Sequence, residues 1–443
     1  MKHSLLLTML FVAVSSIAFP AHATSQPNVS INAILGQSAL LSKTAQRTYL
    51  RITIKGGNAT ELDRRTPVNL AIVIDTSGSM KGQKLQQAKE AAIMAVNRLA
   101  KRDTLSVVAY SDGVNVLVPS QHPTQYAGIQ QMIKKLRAQG RTALYAGVKQ
   151  GVRELQSYLS RNRVNRVILI SDGLANIGPS TPTALGKFGR EVAQSGISIT
   201  TIGLGLGYNE DLMSKLAFNS DGNHAFVEDP KELVQIFNRE FGDILSVVGQ
   251  DVEIEVQLPR GVRPMRSLGR TAEITGNKVV FRLNQIYGSQ EKHAVLELEI
   301  EPEFNAAVSE IAKIGARYTS MKNGTSQTVT QSVVAQFTDS PEETNASVDR
   351  DVMETVVTLI ATEENERAVR LRDRGRIEEA KKLLEKNATY LDTNAAQLES
   401  QSLIKLRDSN LKDARGLSNQ NWNKTRKAMR AKQFKDKTQQ SYQ

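Results

Sequence analysis

The 443-residue chain contains no cysteine. That excludes disulfides, thiolate catalysis, zinc–thiolate centres and a lipid-bearing cysteine. Histidine is scarce, and His3 and His22 lie within the first 23 residues. The others, His122, His224 and His293, are far apart, so the sequence offers no helical pair of metal-ligating histidines. Aromatic residues make up only 5% and tryptophan occurs once; in the basic carboxy-terminal stretch Trp422 and Phe434 are too sparse for a base-stacking platform, and no nucleic-acid partner is expected. After the first 23 residues no stretch offers about 20 consecutive apolar residues, so no transmembrane segment is expected in the mature chain. There is no G-x-x-x-x-G-K-[ST] loop and no G-x-S-x-G elbow, and Gly203-Leu204-Gly205-Leu206-Gly207 lacks the G-x-G-x-x-G spacing. No catalytic residue is identified, and the chain is not expected to be an enzyme.

The beginning reads as an export signal. Met1-Lys2-His3 is basic, residues 5–19 are apolar, and Ala21-His22-Ala23 supplies the small-x-small cleavage pattern. Residues 1–23 are therefore assigned as a signal peptide and the mature protein as periplasmic or secreted, a setting consistent with a large cysteine-free core. Net charge is +12, unevenly spread: residues 401–443 hold eleven Lys or Arg against three Asp. This basic tail is expected as a solvated end, with contact to an acidic surface as its other reading.

Between residues 67 and 249 near-continuous apolar runs (69–74, 105–110, 164–170, 197–202) alternate with helical spacing such as Leu85, Ala88, Ala91, Ala92, Ala95, Val96 and Leu99. Buried strands separated by helices predict an α/β, doubly wound, mostly parallel sheet. From residue 250 to 339 short alternating segments predict an antiparallel β-sandwich. Residues 24–66 carry the same alternation at 48–54 and are expected to pair with that sandwich, making the α/β domain an insertion. Residues 340–349 read as a linker. Residues 350–400 read as a helical hairpin of the tetratricopeptide kind, one unit that cannot bury its own face.

Sites in doubly wound sheets form at the carboxyl ends of the strands. Three pieces of sequence arrive there. The run 69–74 ends in Asp75-Thr76-Ser77-Gly78-Ser79, Gly140-Arg141-Thr142 precedes a helix, and 164–170 ends in Ser171-Asp172-Gly173. Asp75, Ser77, Ser79, Thr142 and Asp172 are all hard oxygen donors, a set suited to Mg²⁺, with Mn²⁺ or Ca²⁺ as alternatives. If the first loop stays extended, its alternate side chains project to one side, with Gly78 leaving room for the turn.

With these residues in place, residues 67–249 resemble a von Willebrand factor type A (vWA) domain with a metal-ion-dependent adhesion site. The flanking segments resemble bacterial exported proteins in which such a domain is combined with a sandwich. The resemblance implies that Ser77 and Ser79 bind the metal directly. Thr142 would bind directly or through water, and Asp75 and Asp172 through bound waters or hydrogen bonds to the hydroxyl ligands. It also implies a partner protein that completes the shell with Glu or Asp. Neutral hydroxyls leave the ion's charge poorly neutralised, which attracts such a carboxylate. Arg141 departs from the small residue common at its position, and either opposes the cation or points to solvent towards an acidic partner. The function expected is an exported, metal-dependent protein-binding module. The alternative is a structural component of an envelope assembly with the metal incidental.

Overall fold

The structure, a computed structural model, describes residues 28–59, 65–304, 307–418 and 422–440. The expected signal peptide lies outside them. The chain opens with β1 (Val29–Leu35), β2 (Ala39–Leu41) and β3 (Gln46–Gly56). It then enters the α/β domain, made of β4 (Val68–Asp75), α1 (Gln83–Arg98), β5 (Thr104–Tyr110), β6 (Val114–Gln121), α2 (Tyr126–Lys134), α3 (Leu144–Gln156), β7 (Val164–Ser171), α4 (Pro182–Gln194), β8 (Ile197–Leu204), α5 (Glu210–Asn219), β9 (His224–Val227) and α6 (Leu233–Leu245).

The sheet order is β6-β5-β4-β7-β8-β9, parallel except for β6, which pairs antiparallel at the edge. The continuous apolar runs follow from burial on both faces. Along β4, Leu70, Ile72 and Ile74 join the core under α1, α2 and α6, while Ala71 and Val73 join the core under α3, α4 and α5. The fold is therefore α/β and doubly wound.

The remaining strands are β10 (Val247–Gln257), β11 (Val262–Leu268), β12 (Ala272–Thr275), β13 (Lys278–Tyr287), β14 (Glu291–Ile300), β15 (Val308–Ser320) and β16 (Ser326–Thr338). They form two sheets, β1-β3-β14-β11 and β12-β13-β10-β15-β16-β2, that share one core. β3 lies between β1 and β14, paired antiparallel with both. The chain leaves this sandwich after β3 and re-enters at β10, so the α/β domain sits as an insertion.

A buried polar knot joins the two domains. Arg166, near the start of β7 and fully buried, donates to Thr200 Oγ1 (2.9 Å), to Tyr287 Oη (2.5 Å) and to Gln285 Oε1, and pairs with Glu240 at 3.4 Å. The sandwich thus contacts the amino-terminal ends of the central strands. The carboxyl ends lie about 20 Å away by strand rise.

Beyond the sandwich come α7 (Pro341–Ala346), α8 (Arg350–Asp373), α9 (Ile377–Leu398), α10 (Gln401–Gly416) and α11 (Trp422–Thr438). Two expectations need correction. The linker 340–349 contains α7, started by Ser340 Oγ accepting from Glu343 N at 3.2 Å. The basic tail is no solvated end: its described residues form α10 and α11, which bury Trp422, Met429 and Phe434. These helices cover the α8–α9 hairpin, where Ala368, Ala380 and Leu384 share a cluster with Ala414, Leu417, Trp422 and Met429. At its other end α8 packs Val352, Val356 and Leu359 on Leu268 and Val295 of the sandwich. Among the described residues no helix is long and apolar enough to cross a membrane.

Candidate functional site

β4 is flanked by β5 and β7, and the connections after β4 and β7 leave towards opposite faces of the sheet, to α1 and α4. The crevice between them is the switch point where such sheets bind ligands. Asp75 ends β4 and is fully buried. Its Oδ1 accepts from Ser77 N at 2.8 Å and its Oδ2 from Ser171 Oγ at 2.6 Å.

The loop is not extended as far as Ser79. Ser77 is extended (φ −63°, ψ 165°), but Gly78–Met80 form one turn of 3₁₀ helix. The alternation argument therefore fails for Ser79, and the turn itself brings Ser79 Oγ within 3.0 Å of Ser77 Oγ. Gly78 is not required by space either: a β-carbon there would meet only Gly140 O, at an ordinary 3.5 Å. Gly140 is constrained instead. Its φ is +75°, and a β-carbon would lie 2.0 Å from Asp112 Oδ2.

Ser79 Oγ donates to Asp172 Oδ1 at 2.8 Å, and Lys84 Nζ donates to Asp172 Oδ2. Thr142 is held from behind by Asn176, whose Oδ1 accepts from Thr142 N at 2.9 Å. A β-carbon on Gly173 would lie 2.9 Å from Thr142 Oγ1 and 3.3 Å from Asp75 Oδ2. That places the threonine hydroxyl and the aspartate carboxylate around the same point. The structure therefore brings all five expected residues into one cluster. Asp75, Ser77, Thr142 and Asp172 are buried, and Ser79 is exposed.

Loop contacts hold the cluster in place. Thr76 N donates to Tyr110 O (2.8 Å), Gln139 N to Thr76 O (2.8 Å) and Gly78 N to Gly140 O (3.0 Å). Arg141 is exposed and pairs with Asp112 at 3.2 Å, facing solvent. Three contributors escaped the sequence reading: Ser171, Lys84 and Asn176. Only Ser171 carried a signal, as the neighbour of Asp172 at a strand end. The Gly203–Gly207 run has a packing role. A β-carbon on Gly203 would fall 2.3 Å from the Tyr208 ring.

Burial pushes the Asp75 carboxyl above its ordinary value, and the nearby Asp172 carboxylate pushes it further, against the hydrogen bonds from Ser171 and Ser77. Two buried carboxylates facing three hydroxyls form a site that gains from a cation. Among the described residues no three His, Asp or Glu converge on a metal position, so such an ion would rest on hydroxyl and carboxylate oxygens together. The residues present fit a hard divalent ion.

Residues 69–239 match the family model of the von Willebrand factor type A domain. This stretch is a vWA domain. An uncharacterized protein of Synechocystis sp. is 29% identical over 268 residues, covering 58% of this chain and 63% of that protein. The uncharacterized protein YfbK of Escherichia coli is 28% identical over 229 residues, covering 51% and 39%. The chain thus spans less than two thirds of either relative. A solved von Willebrand factor type A protein from Catenulispora acidiphila shares the fold at a TM-score of 0.69 and 17% identity, over 88% of this chain and 89% of that one. That coverage takes in the sandwich and helices as well as the vWA domain.

Proposed function

We propose that the chain is an exported protein-binding module. Asp75, Ser77, Ser79, Thr142 and Asp172 of its vWA domain would hold a divalent cation, Mg²⁺ above Mn²⁺ or Ca²⁺, and recognise a Glu or Asp of a partner protein. vWA domains commonly mediate protein–protein interaction or adhesion, and no catalytic role is assigned. The observation that carries the reading is the cluster itself: two buried carboxylates and three hydroxyls at the switch point, open to solvent on the Ser79 side. When bound, the ion would supply a positive charge that the mostly neutral donors leave available to an incoming carboxylate. Asp75 would orient Ser77 through its backbone N–H, Asp172 would orient Ser79, and Asn176 would fix Thr142. The test uses Mn²⁺ as the probe. Bound Mn²⁺ is expected to enhance water-proton relaxation, and acetate to reduce that enhancement. Bound Mn²⁺ without exchangeable water would contradict an open position for a partner.

One observation favours a second reading, a structural module in an envelope assembly with the metal incidental. Lys84 already gives Asp172 a counter-charge. The two readings differ in a variant. If the site is built for a metal, Lys84→Met removes a competing cation while keeping the aliphatic stem. Mg²⁺ affinity should then rise roughly three- to tenfold in a calorimetric titration, since the lysine is partly exposed and its pairing is screened. Unchanged or weaker affinity would favour the structural reading.

A further inference from the structure

The cations of the carboxy-terminal helices include two contrasting groups. One group is neutralised within the molecule. Arg426 contacts Glu210, Asp211 and Asp373, Lys427 contacts Glu210, and Arg430 contacts Asp211. The other group surrounds a cavity of about 710 Å³ between α10, α11 and the edge strand β9. Five cations line it, Lys412, Arg415, Lys424, Lys432 and Lys435, against the single carboxylate of Asp413. Lys424 is paired with Glu228 and Lys432 with Asp436. Lys412, Arg415 and Lys435 form no ion pair among the described residues, and Arg415 uses its Nε on the Leu411 carbonyl at 3.2 Å.

The cavity is shaped as well as charged. Lys424, Ala428, Ala431 and Lys435 recur at helical spacing along one stripe of α11, so small residues form the floor between two lysines. The volume lies in the range of small-ligand sites. Clustered like charges oppose one another, and among the described residues Arg415 and Lys435 have no carboxylate in an ion pair, while Lys412 has only the nearby Asp413 acting on it at longer range. Burial pushes the Asp413 carboxyl up to about 6, and Asn365 Nδ2 donates to it at 3.2 Å, so the one acid on the wall is already engaged.

The edge strand decides the kind of ligand. A peptide could add to β9 as a further strand, but β9 is four residues long. The Gln440 amide occupies its first position, accepting from His224 N (3.0 Å) and donating to His224 O (3.1 Å). A short, capped edge disfavours strand addition and favours a compact ligand.

We propose that this cavity binds a compact polyanion, a small molecule carrying two or more phosphate or carboxylate groups, through Lys412, Arg415 and Lys435. The site is separate from the proposed metal cluster and does not depend on it. The test is calorimetric titration of the full chain with pyrophosphate and, separately, citrate, in metal-free buffer at constant ionic strength. The double variant Lys412→Ala/Lys435→Ala and the exposed control Lys101→Ala are measured beside wild type, with thermal midpoints recorded to confirm folding. Saturable one-site binding of either probe is expected, weakened at least tenfold in the double variant and unchanged in the control. Binding of pyrophosphate alone would assign the phosphate class, and binding of citrate alone the carboxylate class. Absence of saturable binding by both probes, or equal weakening in the double variant and the control, would overturn the proposal.

Discussion

Replacing Arg166 by methionine is expected to lower the stability of the folded chain by about 3–5 kcal/mol, the scale for breaking a buried pair on one side only. Arg166 and Glu240 are both fully buried. Removing the guanidinium leaves the Glu240 carboxylate with hydrogen bonds from Asn223 Nδ2 (2.7 Å) and Thr200 Oγ1 and no positive charge from Arg166. It also cuts the contacts to Gln285 and Tyr287 that tie β7 to the sandwich. Replacing both members, Arg166→Met with Glu240→Leu, should recover much of the loss, because two well-packed apolar groups need no charge compensation. Chemical denaturation measures all three variants. A single-variant loss below about 1 kcal/mol, the range of exposed pairs, would contradict this account of the domain junction.

The junction also has a pH signature. Burial and the neighbouring Glu240 push the Asp243 carboxyl up to about 7, while Arg166 pulls it down. A carboxyl raised on folding binds its proton more tightly in the folded state, so its contribution to stability falls as pH rises through that value. Without Arg166 the two acids repel with less relief. The Arg166→Met loss should therefore be larger at pH 8 than at pH 5.5.

The second large effect concerns α11. The double variant Arg426→Ala/Lys427→Ala is expected to release this helix from the vWA domain. Glu210 is only 4% exposed and has both cations as partners. Lys427 Nζ also donates to Tyr208 O at 2.9 Å, so the docking reaches the loop after β8. Stripping both cations leaves a buried carboxylate uncompensated, again about 3–5 kcal/mol, now charged to a local opening rather than to global unfolding. The chain's single tryptophan, Trp422, begins α11, is 9% exposed and lies under the Arg372 guanidinium at 4.8 Å. Its emission should shift to the red in the double variant, with faster amide exchange confined to residues 422–438. Wild-type emission and exchange would show that packing alone holds the helix.

The sequence made parts of this structure legible and hid others for physical reasons. β4 and β7 announce themselves because both faces are buried, and the Asp-x-Ser-x-Ser loop stands out by position more than by pattern. β11 and β12 are obscured: the first contains Arg263, Pro264 and Arg266, and the second is largely exposed. α10 and α11 read as a charged end because a thin apolar stripe and ion pairs hold them, and ion pairs have no period. Arg426, Lys427 and Arg430 of the tail meet acids of the chain itself, Glu210, Asp211 and Asp373. In the candidate site Asp75, Ser77, Ser79 and Asp172 were readable from strand ends, and Thr142 from its place just before a helix. Lys84 and Asn176 were not, since each acts on a residue 88 or 34 positions away.

The proposed function requires the vWA cluster to hold a divalent ion. Calorimetric titration of Mg²⁺ into the protein, beside Ser77→Ala and Asp172→Ala, tests it most directly. Saturable one-site binding to wild type, lost in both variants while their thermal midpoints stay close to wild type, is the predicted result. Wild-type binding that survives both substitutions, or no binding to wild type, would contradict it.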